Sequence, residues 1–227
     1  LDLPFGTAGL DFNQDPPQGI AEAIFSPERL DEVYLDRLLS KCTDHLSLIA
    51  APATLERDYD LGADALDSVI DLIRKTVPVV VLDLPHMWTR WVHETVTVAD
   101  EIVITAMPDL ANLRNAKNLI DLVKQARPND GPPQLVINQV GVPKKPEIAI
   151  KDFAAALDIE PVAVIAFDPQ LFATAANNGQ MIAEMQAGSK PVEAFRTLAK
   201  EVSGRSEPRK VKKSGLAPLL GRFRLKK

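Results

Sequence analysis

Pro78-Val79-Val80-Val81-Leu82-Asp83 is an unbroken apolar run of strand length, closed by a carboxylate. Residues 46–51, 102–106, 135–140 and 162–167 repeat that form, and the first run extends over 77–84. Most are continuous rather than alternating, the pattern of strands covered on both faces. Leu1-Asp2-Leu3 reads as the end of another strand without its beginning, so the chain reads as a fragment. Helical stretches separate the runs. Residues 27–41 follow Ser26 as a cap, with Pro27 at the first helical position. Residues 61–76 carry Leu66, Val69, Ile70 and Ile73 at helical spacing. Residues 110–126 repeat Leu113, Ala116, Ile120 and Val123 behind Asp109 as cap. Residues 148–157, 169–177 and 191–202 complete the set. Strand and helix alternate throughout. The pattern predicts an α/β domain over residues 1–204, a mostly parallel sheet with helices on both faces, and a tail over 205–227.

Composition narrows the class. The chain has 227 residues, 46% hydrophobic and 25% charged, enough for a full core without staples. A disordered chain, a collagen-like one and a disulfide scaffold are excluded. Cys42 is the single cysteine, and His45, His86 and His93 lack metal-ligand spacing. No apolar run reaches the roughly 18–20 residues of a membrane helix, and no signal peptide is present, which predicts a soluble cytoplasmic protein. The net charge of −5 is uneven: residues 205–227 hold nine Lys/Arg and one acid, Glu207. Residues 1–204 keep 17 Lys/Arg against 30 Asp/Glu, a balance of −13. Such a body repels a phosphate backbone, so nucleic acid is an unfavourable partner for it.

Parallel α/β sheets bind ligands beyond the carboxyl ends of their strands. The residues there are Asp2, Asp83-Leu84-Pro85-His86, Met107-Pro108-Asp109, Asn138-Gln139 and Phe167-Asp168-Pro169. The run ending at Asp83 has the form of a Walker B element, in which a carboxylate on a rigid strand holds magnesium, or its water, beside nucleotide phosphates. A buried strand also ends in aspartate where that residue merely caps the next helix. Asp2 and Asn138 equally suit turn and loop capping, and Asp168 before Pro169 suits a helix start.

The pattern as a whole resembles the deviant Walker ATPases typified by MinD and ParA. The residues that carry the likeness are Asp2-Leu3-Pro4-Phe5-Gly6 with Gly9, Val81-Leu82-Asp83-Leu84-Pro85, and Met107 to Asn115. Leu135-Val136-Ile137-Asn138-Gln139 and Ile165-Ala166-Phe167-Asp168-Pro169 continue it in order. Within that family the chain is similar to the CpaE/TadZ branch, the pilus assembly proteins of Tad/Flp systems. The run from Thr7 to Gly19, Asn138-Gln139-Val140-Gly141, and Ala175-Ala176-Asn177-Asn178-Gly179-Gln180 carry that finer likeness. The resemblance spans residues 1 to about 205.

It implies an ATP- and magnesium-dependent switch that dimerises and positions pilus secretion machinery, often at a cell pole, among polar landmark proteins. Asp2 is then the second acid of the paired-aspartate element, near the attacking water and magnesium, and Asp83 the Walker B acid. Asn138 contacts adenine, and Asp168-Pro169 borders the base. One departure matters: no G-x-x-x-x-G-K-[ST] phosphate loop occurs in these residues, and the family places it ahead of the position of Leu1. This stretch by itself is therefore not expected to hydrolyse ATP or bind it tightly.

Other classes stay in view: a nucleotide-independent scaffold of the same fold, and a ParA-like DNA-partition ATPase, which the acidic body disfavours. Asn138-Gln139-Val140-Gly141 lacks the later Asp of a guanine-reading motif, and one cysteine cannot hold an iron–sulfur cluster. Met87, Trp88 and Trp91, at helical spacing, suit packing or a partner surface. In the tail, Leu216, Leu219, Leu220 and Phe223 share one helical face flanked by Arg222 and Arg224, which resembles the membrane-targeting helix that ends MinD. A solvated basic tail is the alternative. Leu225 and Lys227 break the pattern.

Overall fold

A computed structural model describes residues 1–204, apart from positions 15, 17, 18, 53, 54 and 56–61. Its centre is a three-stranded parallel sheet in the order β3-β4-β5, with β3 at Val103–Ala106, β4 at Gln134–Val140 and β5 at Ala163–Ala166. These are three of the five strand-length runs, and they pair because each has an apolar neighbour one crossover away. Two short strands, β1 (Ser40–Lys41) and β2 (Ser47–Leu48), form an antiparallel hairpin apart from it.

Side chains of β4 alternate between the two faces, and each face has its own cover. Leu135 and Ile137 pack with Ile120, Phe153 and Leu157 from α6 (Leu110–Ala126) and α7 (Ile150–Leu157). Val136 packs with Ala163 and Ile165 on the other face, under Phe172 of α8 (Pro169–Asn178) and Ala194 and Leu198 of α10 (Lys190–Val202). Helices therefore cover both faces, as the alternation predicts. A further cluster joins Leu3 to α2 (Ile20–Phe25), α3 (Glu32–Leu38), α4 (Ala63–Arg74) and α5 (Arg90–Val98). Thr95 is buried there, and its hydroxyl donates to the Trp91 carbonyl at 2.8 Å, which satisfies it.

Local capping chemistry sets several boundaries. Asp109 accepts from the Asn112 amide at 2.9 Å and Asp168 from the Leu171 amide at 3.0 Å, starting α6 and α8 where the sequence places them. The expected helix over 27–41 is instead a 3-10 turn, Pro27–Arg29, followed by α3. Asp31, not Ser26, supplies the cap, accepting from Tyr34 at 2.7 Å. Short helices α1 (Ala8–Asp11) and α9 (Ile182–Met185), together with α2 and α5, were not anticipated.

Two strand expectations are corrected. Only Ser47–Leu48 of residues 46–51 is strand, and its partner is the hairpin rather than the parallel sheet. Residues 77–84 pair with no strand among the described residues. Val79 and Val81 stand 65% and 87% exposed, while Leu82 and Leu84 are half-buried and Leu84 packs on the first cluster. The segment keeps the inside–outside alternation of a strand but has no strand partner among the described residues. Apolar composition alone cannot supply one.

Candidate functional site

The loop ends of the sheet gather at one edge. At one corner of it the Leu1 amine donates to the Asp83 carbonyl oxygen. Burial pushes that amine's pKa down, while the charges of Asp83 and then Asp2 pull it up, so the amine lies within the field of both carboxylates. Asp2 is half-buried and braced: its carboxylate accepts from the Phe5 amide at 3.2 Å and its carbonyl from the Gly6 amide at 2.8 Å. Gly6 is required there, because a β-carbon would meet the Asp2 oxygen at 2.5 Å. Asp83 is exposed and caps nothing, since α5 begins seven residues later with Thr89 at its cap position.

The second corner lies at the ends of β4 and β5. Val140 pairs with Ala166, and the Phe167 amide donates to the Val140 carbonyl at 2.8 Å, which sets Val140, two residues after Asn138, beside the stem of Asp168. The Asn138 side-chain oxygen accepts from the Gln139 amide at 2.8 Å. Asp168 caps α8, with Pro169 at the first position. Helices α1 and α8 touch, and so link the two corners. Gly179 has φ +59, and a β-carbon on it would lie 2.8 Å from that of Asn13.

A third feature was not legible in the sequence. Lys145 pairs with Asp109 at 3.1 Å, across 36 residues. Glu147 accepts from the Gly141 and Val142 amides, and the Ile148 amide donates to the Pro108 carbonyl at 2.8 Å. The loop after β4 is thereby tied over the turn after β3. Hydrogen bonds from the Asn112 side chain and amide, with Lys145 adjacent, hold the Asp109 pKa down at about 2. Because the folded value lies below the ordinary ~3.9, its stabilisation is present above pH ~4 and is lost as pH falls toward 2. Asp109→Ala is expected to cost about 1 kcal/mol at pH 7, from the lost cap. Urea unfolding of both proteins at pH 7 and pH 2.5 checks this: the gap should shrink at the lower pH.

The corner suits a magnesium nucleotide in part. Among the described residues no cluster of three or more His, Cys, Asp or Glu forms a metal cage. Magnesium is commonly held by one or two carboxylates plus phosphate oxygens, and Asp2 and Asp83 are the two carboxylates whose charges reach the Leu1 amine at this corner. Trp91 is buried, whereas Met87 and Trp88 are 54% and 56% exposed beside the Asp83 loop. An acidic groove lined by Asp100, Glu101, Asp130, Asp158 and Glu160 lies at the opposite edge. No helix among the described residues is long and apolar enough to cross a membrane. Leu216, Leu219, Leu220, Arg222, Phe223 and Arg224 lie outside the described residues.

No protein-family model matches the chain. It is 23% identical over 216 residues to the septum site-determining protein MinD of Synechocystis sp., covering 92% of this chain and 78% of that protein. It is 24% identical over 171 residues to MinD of Bacillus subtilis, covering 74% of this chain and 62% of that protein's length. Among solved structures, a ParA family ATPase from Chlorobium tepidum superposes with a TM-score of 0.74 at 19% identity, covering 87% of this chain and 83% of that one. MinD from Pyrococcus horikoshii, complexed with Mg-ADP, gives 0.73 at 17% identity, covering 88% and 80%. The chain thus has the MinD/ParA fold, an α/β architecture with a parallel sheet.

Proposed function

We propose that this protein is a MinD/ParA-type nucleotide switch of the CpaE/TadZ branch, in which ATP binding controls dimerisation and the dimer positions Tad/Flp pilus machinery, at a cell pole. The observation that carries the nucleotide reading is the corner where the Leu1 amine, bonded to the Asp83 carbonyl, lies within the field of both the Asp83 and Asp2 carboxylates. Asp83 and Asp2 would hold magnesium or its waters, and Asn138 with Asp168-Pro169 would border the base. Bound Mg-ATP would supply the phosphate bond whose state sets the switch. The branch assignment draws support from the packing of α1 and Asn13 on α8 and Gly179, which joins two of the three sequence runs resembling that branch.

The phosphate loop, we propose, lies on a strand ahead of Leu1. The bare valines support this: Val79 and Val81 at 65% and 87% exposed, and Val103, on the free edge strand β3, at 41%. One inserted strand would cover them. Val81→Ala is then expected to cost about 2 kcal/mol in the chain with that segment and close to nothing in residues 1–227 alone. Paired urea titrations of the two lengths check it.

Exposed Phe5, Leu10, Met87, Trp88 and Leu110 border the same edge, an apolar rim suited to a second copy of the chain. Residues 205–227 would give a salt-sensitive hold on anionic membrane, roughly 1 kcal/mol per Lys/Arg near the surface. Co-sedimentation with anionic vesicles should fall for a chain ending at Gly204; equal pelleting of the two excludes the membrane role. The pilus role is tested in cells: deletion should abolish surface Tad/Flp pili, and the Asp83→Ala protein should fail to restore them. Full restoration would favour the nucleotide-independent scaffold instead.

A further inference from the structure

β5 is covered on one face only. Its run, Val162-Ala163-Val164-Ile165-Ala166-Phe167, is unbroken apolar, the composition of a strand with cover on both faces. Ala163 and Ile165 are buried on the side of α8 and α10. Val164 and Ala166 alternate to the other side. Across a β-bulge in β4 they pair with Ile137 and Val140, which belong to the cluster under α6 and α7. Val164 is nevertheless 44% exposed, Ala166 is exposed, and neither joins a hydrophobic cluster among the described residues. β5 is also an edge strand, with β4 as its one neighbour among the described residues. A bare apolar edge is a liability that proteins cover. At the amino end of β5, Asp158 and Glu160 line the acidic groove, a cavity of about 830 Å³ that reaches Asp100, Glu101 and Asp130. Arg127, the one base in that lining, is paired with Asp130 at 2.6 Å. The other four acids have no ion-pair partner among the described residues.

We propose that the chain's own residues 205–227 cover this face, folding back round the free edge of β5. They follow α10, which packs on β5 from the Ala163 and Ile165 side. Layers stack about 10 Å from a sheet, so passing round its edge from one layer to the other takes roughly 20 Å. Residues 205–215 span up to roughly 36 Å when extended. They carry Arg205, Arg209, Lys210, Lys212 and Lys213 past the acidic groove, with Glu207 their single acid. Leu216, Leu219, Leu220 and Phe223, which share one helical face by their spacing, then reach Val164 and Ala166. The chain thus delivers charge to the unpaired acids first and apolar surface to the bare strand second. The same four apolar side chains serve the membrane reading, so a docked tail is withheld from a bilayer. That consequence rests on the membrane reading; the docking does not.

The test follows tryptic cleavage within residues 205–227 of the protein with its phosphate-loop segment, each variant beside the free peptide of its own tail sequence. The wild-type tail is expected to be cut about tenfold or more slowly than its peptide at low salt. Leu219→Ser with Leu220→Ser should bring cleavage to the peptide rate, and so should Val164→Lys. Asp158→Asn with Glu160→Gln should speed it several-fold; Asp158 stands at φ 55, a left-handed conformation that asparagine accepts. Melting curves identify a variant that fails to fold, and the tail variant leaves residues 1–204 unaltered. A wild-type tail cut as fast as its peptide would overturn the docking. Protection that grows with protein concentration would place the tail on a second copy and overturn the fold-back. Protection lost in the tail variant but kept in both the Val164→Lys and the Asp158→Asn, Glu160→Gln proteins would overturn the assigned face. No vesicle enters the experiment, so a failed membrane reading leaves its result standing.

Discussion

Replacing Asp83 with alanine is expected to lower magnesium-dependent ATP turnover by about a hundredfold or more, in the protein carrying its phosphate loop. The thermal midpoint should not move. The side chain is exposed, and no helix start depends on it, because α5 begins seven residues later with Thr89 at its cap position. Exposed substitutions away from caps and networks change stability by only about ±0.5 kcal/mol. A loss of turnover without a loss of fold is the signature of a group that acts on the metal side of a nucleotide. Steady-state phosphate release and a melting curve on the same preparations check both halves. Wild-type turnover in the variant would reduce Asp83 to a solvated loop residue.

The second large effect is on stability. Phe153 of α7 is 0% exposed, in the cluster that holds Ile120, Ile137 and Leu157 against one face of the sheet. Phe153→Ala removes a ring from that layer and is expected to cost about 3–5 kcal/mol. That is a large part of the roughly 5–15 kcal/mol available to a domain. At about 2–4 °C per kcal/mol for a chain of this size, the midpoint should fall by roughly 10 °C. Urea unfolding should show the midpoint concentration moved with its slope unchanged. A cost under about 1 kcal/mol would mean that α7 does not pack on β4 as described.

What the sequence made legible was local. α6 and α8 begin where Asp109 and Asp168 stand, because an aspartate three residues before a free amide is a complete physical signal. β3, β4 and β5 follow from apolar runs separated by helices. Residues 77–84 have the composition of a strand, but a strand is made by its neighbours, and no strand among the described residues pairs with it. Ser26 is a good cap by residue type, but the 3-10 turn at Pro27–Arg29 moves the helix start to Asp31. Trp88 and Trp91 share helical spacing, yet only Trp91 lies inside α5 and is buried.

The candidate site divides the same way. The strand-end rule picks out Asp2, Asp83, Asn138 and Asp168, and the fold gathers these into two linked corners. The rule has no access to the Lys145–Asp109 pair, because 36 residues of intervening helix and strand determine that meeting. Nor does it see the bulge, which arises from the register of β4 on β5 rather than from any residue type.

Sedimentation equilibrium of the protein with its phosphate-loop segment, run without nucleotide, with Mg-ADP and with Mg-ATP, tests the switch most directly. The account predicts a monomer without nucleotide and with Mg-ADP, and a dimer with Mg-ATP that Asp83→Ala and a charged residue at Trp88 each perturb. The same mass under all three conditions, whether monomer or dimer, would contradict it.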